Sequence, residues 1–261
     1  MGSTDDRPDA VTTVETSLTI LDGLQELDGA SISGLAQHLD IAKSTVHRHL
    51  HTLYENEYVV RDEDRYHVGL KFLAVGGTAK NRNPLWERVS PVISKLAEQT
   101  GERALFTVEE HGRGFFIHRN TGENAVPTNQ QSLASYGLHT IASGKAILAH
   151  LPEQRIVEIL DDKGLPAVTD NTISSRETLF EELERVRRDG IAFNDGESID
   201  GLRAVAVPLM GSEGVVHGAI SISGSNHRLT GEYYEDELPN LLYRTANELE
   251  LSIELPQTGP F

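Results

Sequence analysis

Residues 41–53, IAKSTVHRHLHTL, carry two cations (Lys43 and Arg48), three histidines, several hydroxyls and no acid. The chain around them is strongly acidic, with 40 Asp and Glu against 23 Lys and Arg and a net charge of −17. Read as a helix at 100° per residue, Val46, Leu50 and Leu53 fall within roughly 60° of one another and form a buried stripe. Ser44, Arg48, His51 and Thr52 then point outward, with Thr45 and His47 at the flanks. Such a face suits the major groove of double-stranded DNA. Arg reads guanine edges or phosphates, and Ser and Thr bind phosphates near a helix N-terminus. A carboxylate there would face the phosphate backbone. Lys43, Ser44, Thr45, His47, Arg48 and His51 are the candidate contacts. The competing reading is a solvated face on a small helical bundle. His47 and His51 have the i, i+4 spacing of helical zinc pairs, but no third ligand can be named, so no metal and no cofactor is expected.

The elements that would position this helix are legible. Residues 1–13 read as a disordered tail. Val14, Leu18, Leu21, Leu24 and Leu27 recur at helical steps, and Asp28-Gly29 ends the run. A short helix follows, with Ser31 as N-cap and Ile32, Leu35, Ala36 and Leu39 on its apolar side. The linker Asp40-Ile41-Ala42 leads into the acid-free helix. Ala42 stands where a capping hydroxyl would help, and a missing cap costs ~0.5–2 kcal/mol. Strands at 58–61 and 65–68 flank the turn Asp62-Glu63-Asp64. Helix, helix, tight turn, helix and hairpin make a winged helix-turn-helix over residues 14–69. Arg61 and Arg65 flank the wing tip, within reach of a neighbouring phosphate. The charge balance is awkward for a DNA partner: residues 1–75 hold 6 Lys and Arg against 13 Asp and Glu, a net −7. Only the helix face and the wing arginines are expected to meet DNA.

Composition suggests a resolution. The cations divide into 17 Arg and 6 Lys. Abundant acid with scarce Lys points to molar salt, where a Debye length of ~3 Å removes most repulsion between carboxylates; an ordinary acidic mesophile protein is the competing reading. No cysteine is present, which excludes disulfides, thiolate nucleophiles and Cys-based zinc sites. The N-terminal residues are polar and acidic, unlike a signal peptide, and no apolar run approaches the roughly 20 residues of a membrane span. A soluble cytoplasmic protein with no membrane partner is expected.

Residues 70–83, with Gly76-Gly77 and an Asn-rich end, read as a linker helix. Beyond them, helices at 85–99, 143–151, 152–160, 176–188 and 233–251 alternate with strands at 104–108, 114–118, 191–194, 204–209 and 215–221. That pattern indicates an α+β sheet domain over residues 84–254, followed by a tail at 255–261. Residues 124–152 contain no acid but include Asn129, Gln130, Gln131, Ser132, His139, Thr140, Ser143 and Lys145. A carboxylate pocket needs donors of this kind and no fixed negative charge nearby, and the helix from Ser143 offers free backbone N–H groups. A buried or interfacial loop is the alternative. Enzyme readings fare poorly. HTIASGKA has His139 in place of the first P-loop glycine and Ala146 in place of Ser/Thr. AISISGS lacks the flanking glycines of a nucleophile elbow. Asp195, Glu197 and His217 could be grouped as acid and base, but read more simply as surface side chains.

The stretch SISGLAQHLDIAKSTVHRHLHTLYENEYV followed by YHVGLKFLAVG resembles the N-terminal domain of the IclR family of transcriptional regulators. SGKAILAHLP, LERVRRDGIAFNDGESIDGLRAVAVPL and GAISISGSNHRLT match its second half in the expected order, so the resemblance spans about residues 14–254. It implies an α+β protein: a winged helix-turn-helix, a linker helix and a GAF-like effector-binding domain with an antiparallel sheet flanked by helices. It also implies a homodimer or homotetramer that controls metabolic genes in response to a small organic or aromatic acid. By the same resemblance the effector contacts are Ala142 and Ser143 before the Gly-Lys pair, Asn194, Leu202 and Ala204 after DGIAF, and Ser221 and Ser223 in SISG. Asn194 replaces a frequent acidic residue and Ala204 a frequent cysteine, which alters the effector chemistry. A ligand-independent regulator with a vestigial pocket and a small-acid enzyme or carrier are the other readings.

Overall fold

Helix α1 (Thr12–Glu26) carries apolar residues along its length, yet its buried ones, Ile20, Gly23 and Leu24, all lie in the C-terminal half. The computed structural model describes residues 10–127 and 135–254, in two compact units that divide after Arg82. In the first unit α1 is followed by β1 (Ala30–Ser31), α2 (Ile32–Leu39), α3 (Lys43–Glu55), β2 (Val59–Asp62), β3 (Arg65–Val68) and α4 (Lys71–Lys80). Its core is Ile20, Leu24, Leu35, Ala36, Val46, Leu50, Val59 and Tyr66. The stripe read from sequence on α1 is therefore corrected. Val14 and Leu18 are more than half exposed, and Ile20 takes the inner position beside Leu24.

Local chemistry sets the tight turn. Ser31 Oγ accepts the Gly34 N–H at 3.2 Å and caps α2. Asp40 adopts the left-handed conformation at φ 52°, and the Ile41 N–H returns to the Ala36 carbonyl. Ala42 gives α3 no side-chain cap. Strand β1 pairs Ala30 with Tyr66 and extends the wing to three strands in the order β1-β3-β2. Two residues are too few for an alternating pattern to show in the sequence.

The second unit is built on a six-stranded sheet. Its strands are β4 (Arg103–Glu110), β5 (Arg113–Thr121), β6 (Ser135–Gly137), β7 (Ala192–Asp195), β8 (Leu202–Met210) and β9 (Val216–Ser225), in the order β6-β5-β4-β9-β8-β7, all pairs antiparallel. Helices α5 (Pro84–Thr100) and α9 (Leu238–Glu254) cover one face. There Ala104, Phe106, Val108, Val205, Val207, Ile220 and Ile222 meet Trp86, Val89, Ile93 and Leu242. Helix α6 (Ala142–Leu148) lies on the other face, backed by α8 (Arg176–Asp189), with α7 (Glu153–Lys163) in the same apolar cluster. Side chains alternate between faces along a strand. Arg103, Leu105 and Thr107 of β4 therefore share the α6 face with Ser221 and Ser223 of β9, Ala204 of β8 and Asn194 of β7, as the register dictates. Gly144 lets α6 pack closely on the turn that precedes it, since a Cβ there would lie 2.1 Å from the Leu138 carbonyl oxygen.

Candidate nucleic-acid interface and ligand cavity

Helix α3 buries Val46 and Leu50 and half-buries Leu53, leaving Lys43, Ser44, His47, Arg48, His51 and Thr52 exposed. Thr45 is half-buried at the edge of this face. Among the described residues, Lys43 and Arg48 make no hydrogen bond or ion pair, so both heads are free. The His47 and His51 rings stack at 6.4 Å between centroids. His49 leaves the face: its Nδ1 lies 2.8 Å from Ser17 Oγ on α1. At the wing, Arg61 Nε donates to the Glu63 carbonyl at 2.8 Å, and its guanidinium lies over Tyr66. Arg65 donates to the Gly29 carbonyl and ties β3 to the end of α1. Both wing arginines thus also serve the fold. Asp62, Glu63 and Asp64 are exposed at the tip.

The second unit brings Ala142, Ser143, Asn194, Leu202, Ala204, Ser221 and Ser223 around one cavity. Arg103, Leu105, Phe116, Ile141, Ser198 and Arg203 complete its lining, which contains no carboxylate. The cavity holds about 430 Å³ of empty space including its open mouth. Its interior is narrow. Leu105, Phe116 and Ile141 form an apolar wall, with Tyr136 stacked on Phe116 at 4.6 Å. Thr107 Oγ1 donates to Ser143 Oγ at 2.7 Å. The Ser221 and Ser223 hydroxyls have no hydrogen-bond partner among the described residues.

Asn194 is less available than the sequence suggests. Its Nδ2 donates to the Thr140 carbonyl at 2.7 Å, and its Oδ1 accepts the Glu197 N–H at 3.2 Å. It pins the turn before α6 to β7. A carboxylate at this position could not donate to the Thr140 carbonyl.

Two readings from the acid-free segment need correction. Lys145 is 1% exposed and faces away from the cavity, held by Glu197 at 2.6 Å and Glu182 at 3.1 Å. Glu182 also pairs with Arg185. Burial pushes Glu182 up, but Lys145 and Arg185 outweigh it and hold it below the ordinary carboxylate range. Glu197, read above as a surface carboxylate, has a largely buried side chain, and with one cation its pKa stays raised by that burial. His139 and Thr140 line a neighbouring, wider concavity that shares Ser198 with the first. That hollow has about 1020 Å³ of empty space, and of its lining hydroxyls Thr140 Oγ1 is already bonded to the Gly137 carbonyl and Ser135 Oγ to Arg113. The narrow cavity is the one that gathers the residues named from the family resemblance. Asn129, Gln130, Gln131 and Ser132 lie outside the described residues.

His139 yields a pH prediction. Burial lowers its pKa, only partly offset by the Pro166 carbonyl 3.1 Å from Nε2. Its stabilising neutral form is fully present above the unfolded value of about 6.5 and is lost as pH falls through that value towards the folded one. Chemical denaturation of the chain is expected to show stability falling between neutral and mildly acidic pH, by at most about 1.4 kcal/mol per pH unit from this group. His139→Gln is expected to flatten that part of the slope; an unchanged slope would assign it to other groups.

Comparison with known proteins adds a second line of observation. A family model described as the IclR helix-turn-helix domain matches residues 13–63, and one described as the bacterial transcriptional regulator IclR C-terminal matches residues 78–251. The chain belongs to the IclR family of transcriptional regulators. Within the family it is 33% identical to the probable HTH-type transcriptional regulator ArcR of Halobacterium salinarum, over 95% of both chains. It is 28% identical to the transcriptional repressor IclR of Escherichia coli, over 90% of this chain and 87% of that one. The fold superposes on the crystal structure of Thermotoga maritima IclR with a TM-score of 0.75 at 27% identity, covering 94% of this chain and 99% of that one. An IclR homologue from Microbacterium hydrocarbonoxydans, solved in complex with 4-hydroxybenzoate, has the same fold (TM-score 0.74, 23% identity, 91% and 98% covered). As an IclR-family member the chain is a DNA-binding transcriptional regulator with a C-terminal ligand-binding domain. Among the described residues no helix is long and apolar enough to cross a membrane. Sequence reasoning missed Arg103 and the Lys145–Glu182–Glu197 cluster. Strand parity could have placed Arg103 on the cavity face, but no spacing marks it as buried.

Proposed function

We propose that this regulator docks α3 in the DNA major groove through Lys43, Ser44, Thr45, His47, Arg48 and His51, with Arg61 and Arg65 at the flanking phosphates. A small organic acid bound among Ala142, Ser143, Asn194, Leu202, Ala204, Ser221 and Ser223 then biases the DNA-competent population. The observation that carries the sensing half is a cavity lined without a single carboxylate in a chain with 40 of them. The acid-rich, Lys-poor surface fits work in a cytoplasm of high salt, where screening hides the remaining charge. The test is fluorescence anisotropy of an upstream duplex with glyoxylate, pyruvate, lactate or 4-hydroxybenzoate added. A shift of about 5–150-fold in half-saturation by one of them is expected. No shift with any would favour a ligand-independent regulator.

The active species is a homodimer or a higher oligomer. Support comes from the apolar surface of the first unit. Val11, Val14 and Leu18 are exposed at steps of three and four residues, and Leu70, Leu73 and Val75 are exposed at the start of α4. A monomer in water would leave these side chains uncovered. Leu18→Glu combined with Leu73→Glu is expected to yield a folded monomer by light scattering and to weaken operator binding. An unchanged oligomer would place the interface elsewhere.

A further inference from the structure

We infer that Arg103 is the anion anchor of the cavity: a small organic acid docks its carboxylate on this guanidinium, at the β4–β9 end of the site, with a neighbouring oxygen reaching Ser221 or Ser223. The inference rests on the reading of this cavity as the ligand site and adds a residue and an orientation to it.

Arg103 is 3% exposed and lines the cavity. Its Nη2 donates to the Val126 carbonyl, but its Nε is buried with no partner. A buried cationic donor without an acceptor is costly, and a ligand oxygen removes that cost. The acid next to it in sequence does not neutralise it. Glu102 points to the opposite face of the sheet, where both its oxygens take the Arg228 fork at 2.6 and 2.9 Å. Burial first, and the charge of Arg119 next, weigh against the Arg103 cation, so an anion between strand and cavity wall would relieve both. The other arginine of the lining also has a buried Nε without a partner, but its charge is already neutralised: Arg203 Nη2 pairs with Asp195 at 2.7 Å, and its guanidinium lies over Tyr234.

The partners for the rest of the ligand follow from the register. Ser223 is directly opposite Arg103 across the β4–β9 pair, and Ser221 is opposite Leu105. Their unpartnered hydroxyls can donate to or accept from a 2-oxo or 2-hydroxy oxygen. Leu105 and Phe116 meet the carbon end. The narrow interior favours a short acid over an aromatic one unless the Phe116 wall moves.

Calorimetric titration of the full chain with three acid and amide pairs tests this: pyruvate and pyruvamide, lactate and lactamide, benzoate and benzamide. The wild type is expected to bind one short acid at least about tenfold more tightly than its amide. Arg103→Gln is expected to weaken that acid by about tenfold or more and to erase the preference over the amide. Arg103→Lys keeps the charge without the planar fork and is expected to fall between. It also carries the test should Arg103→Gln not fold. Equal binding of the acid by wild type and both variants would remove Arg103 as the anchor while leaving the sensor reading intact. A wild type that binds none of the acids, or binds acid and amide alike, overturns the anchor; binding none also removes the ligand reading.

Discussion

Arg48→Ala is expected to weaken binding to the chain's own upstream DNA by about 10–100-fold, the equivalent of ~1–3 kcal/mol, and to reduce its margin over a scrambled duplex. The size follows from the position of the side chain. Arg48 lies at the middle of the exposed face of α3, opposite Val46 and Leu50, with no partner among the described residues to hold it back. It needs no desolvation of an existing ion pair before reaching a base edge or phosphate. Thermal stability is expected to stay unchanged, because no packing is lost. Lys43→Ala, by contrast, is expected to weaken both duplexes about equally, as a phosphate contact would. Unchanged binding by Arg48→Ala, measured by anisotropy, would mean that another face of the unit meets DNA.

Lys145→Met is expected to be the most destabilising single substitution in the second unit, at about 3–5 kcal/mol. Removing the cation leaves the largely buried Glu182 and Glu197 side chains in each other's vicinity. Glu182 retains Arg185, whereas Glu197 loses the one cation that pairs with it among the described residues. Glu197 would then hold its proton to higher pH. Its folded pKa is already raised by burial, so its contribution is present below the unfolded value and is lost as pH rises through the folded one. The variant should therefore recover stability in mild acid, and Glu197→Gln in the Lys145→Met background should recover it at neutral pH. Denaturant titrations of the three proteins at two pH values decide this. A loss below about 1 kcal/mol would show that water, rather than Lys145, satisfies the carboxylates.

The parts of the fold visible in sequence are those fixed by short-range chemistry. The Ser31 cap, the short linker from Asp40 and the spacing of Val46 and Leu50 act within a few residues, and each is in place. The SGKA and SISG segments could be matched as motifs, and their residues meet at one cavity. What escaped was long-range. Lys145 and Glu197 are 52 residues apart, so a buried ion pair looked like a ligand donor and a surface acid. Arg103 sits in the strand RALFTVEE, where no spacing marks it as buried and the register with Ser223 brings it to the cavity. The regular leucine spacing on α1 concealed that Val14 and Leu18 stay exposed in its first half, while Ile20 does the packing. Periodicity identifies a helix, but the neighbours decide which stripe is buried.

The most direct measurement is fluorescence anisotropy of the full chain against the duplex upstream of its own gene and a scrambled duplex of equal length, in molar KCl. Sequence-specific docking through α3 predicts at least a tenfold preference for the upstream duplex that survives molar salt, because base contacts rather than counterion release set the difference. Equal affinity for the two duplexes, or binding that vanishes for both in molar KCl and returns without preference at lower salt, would contradict it.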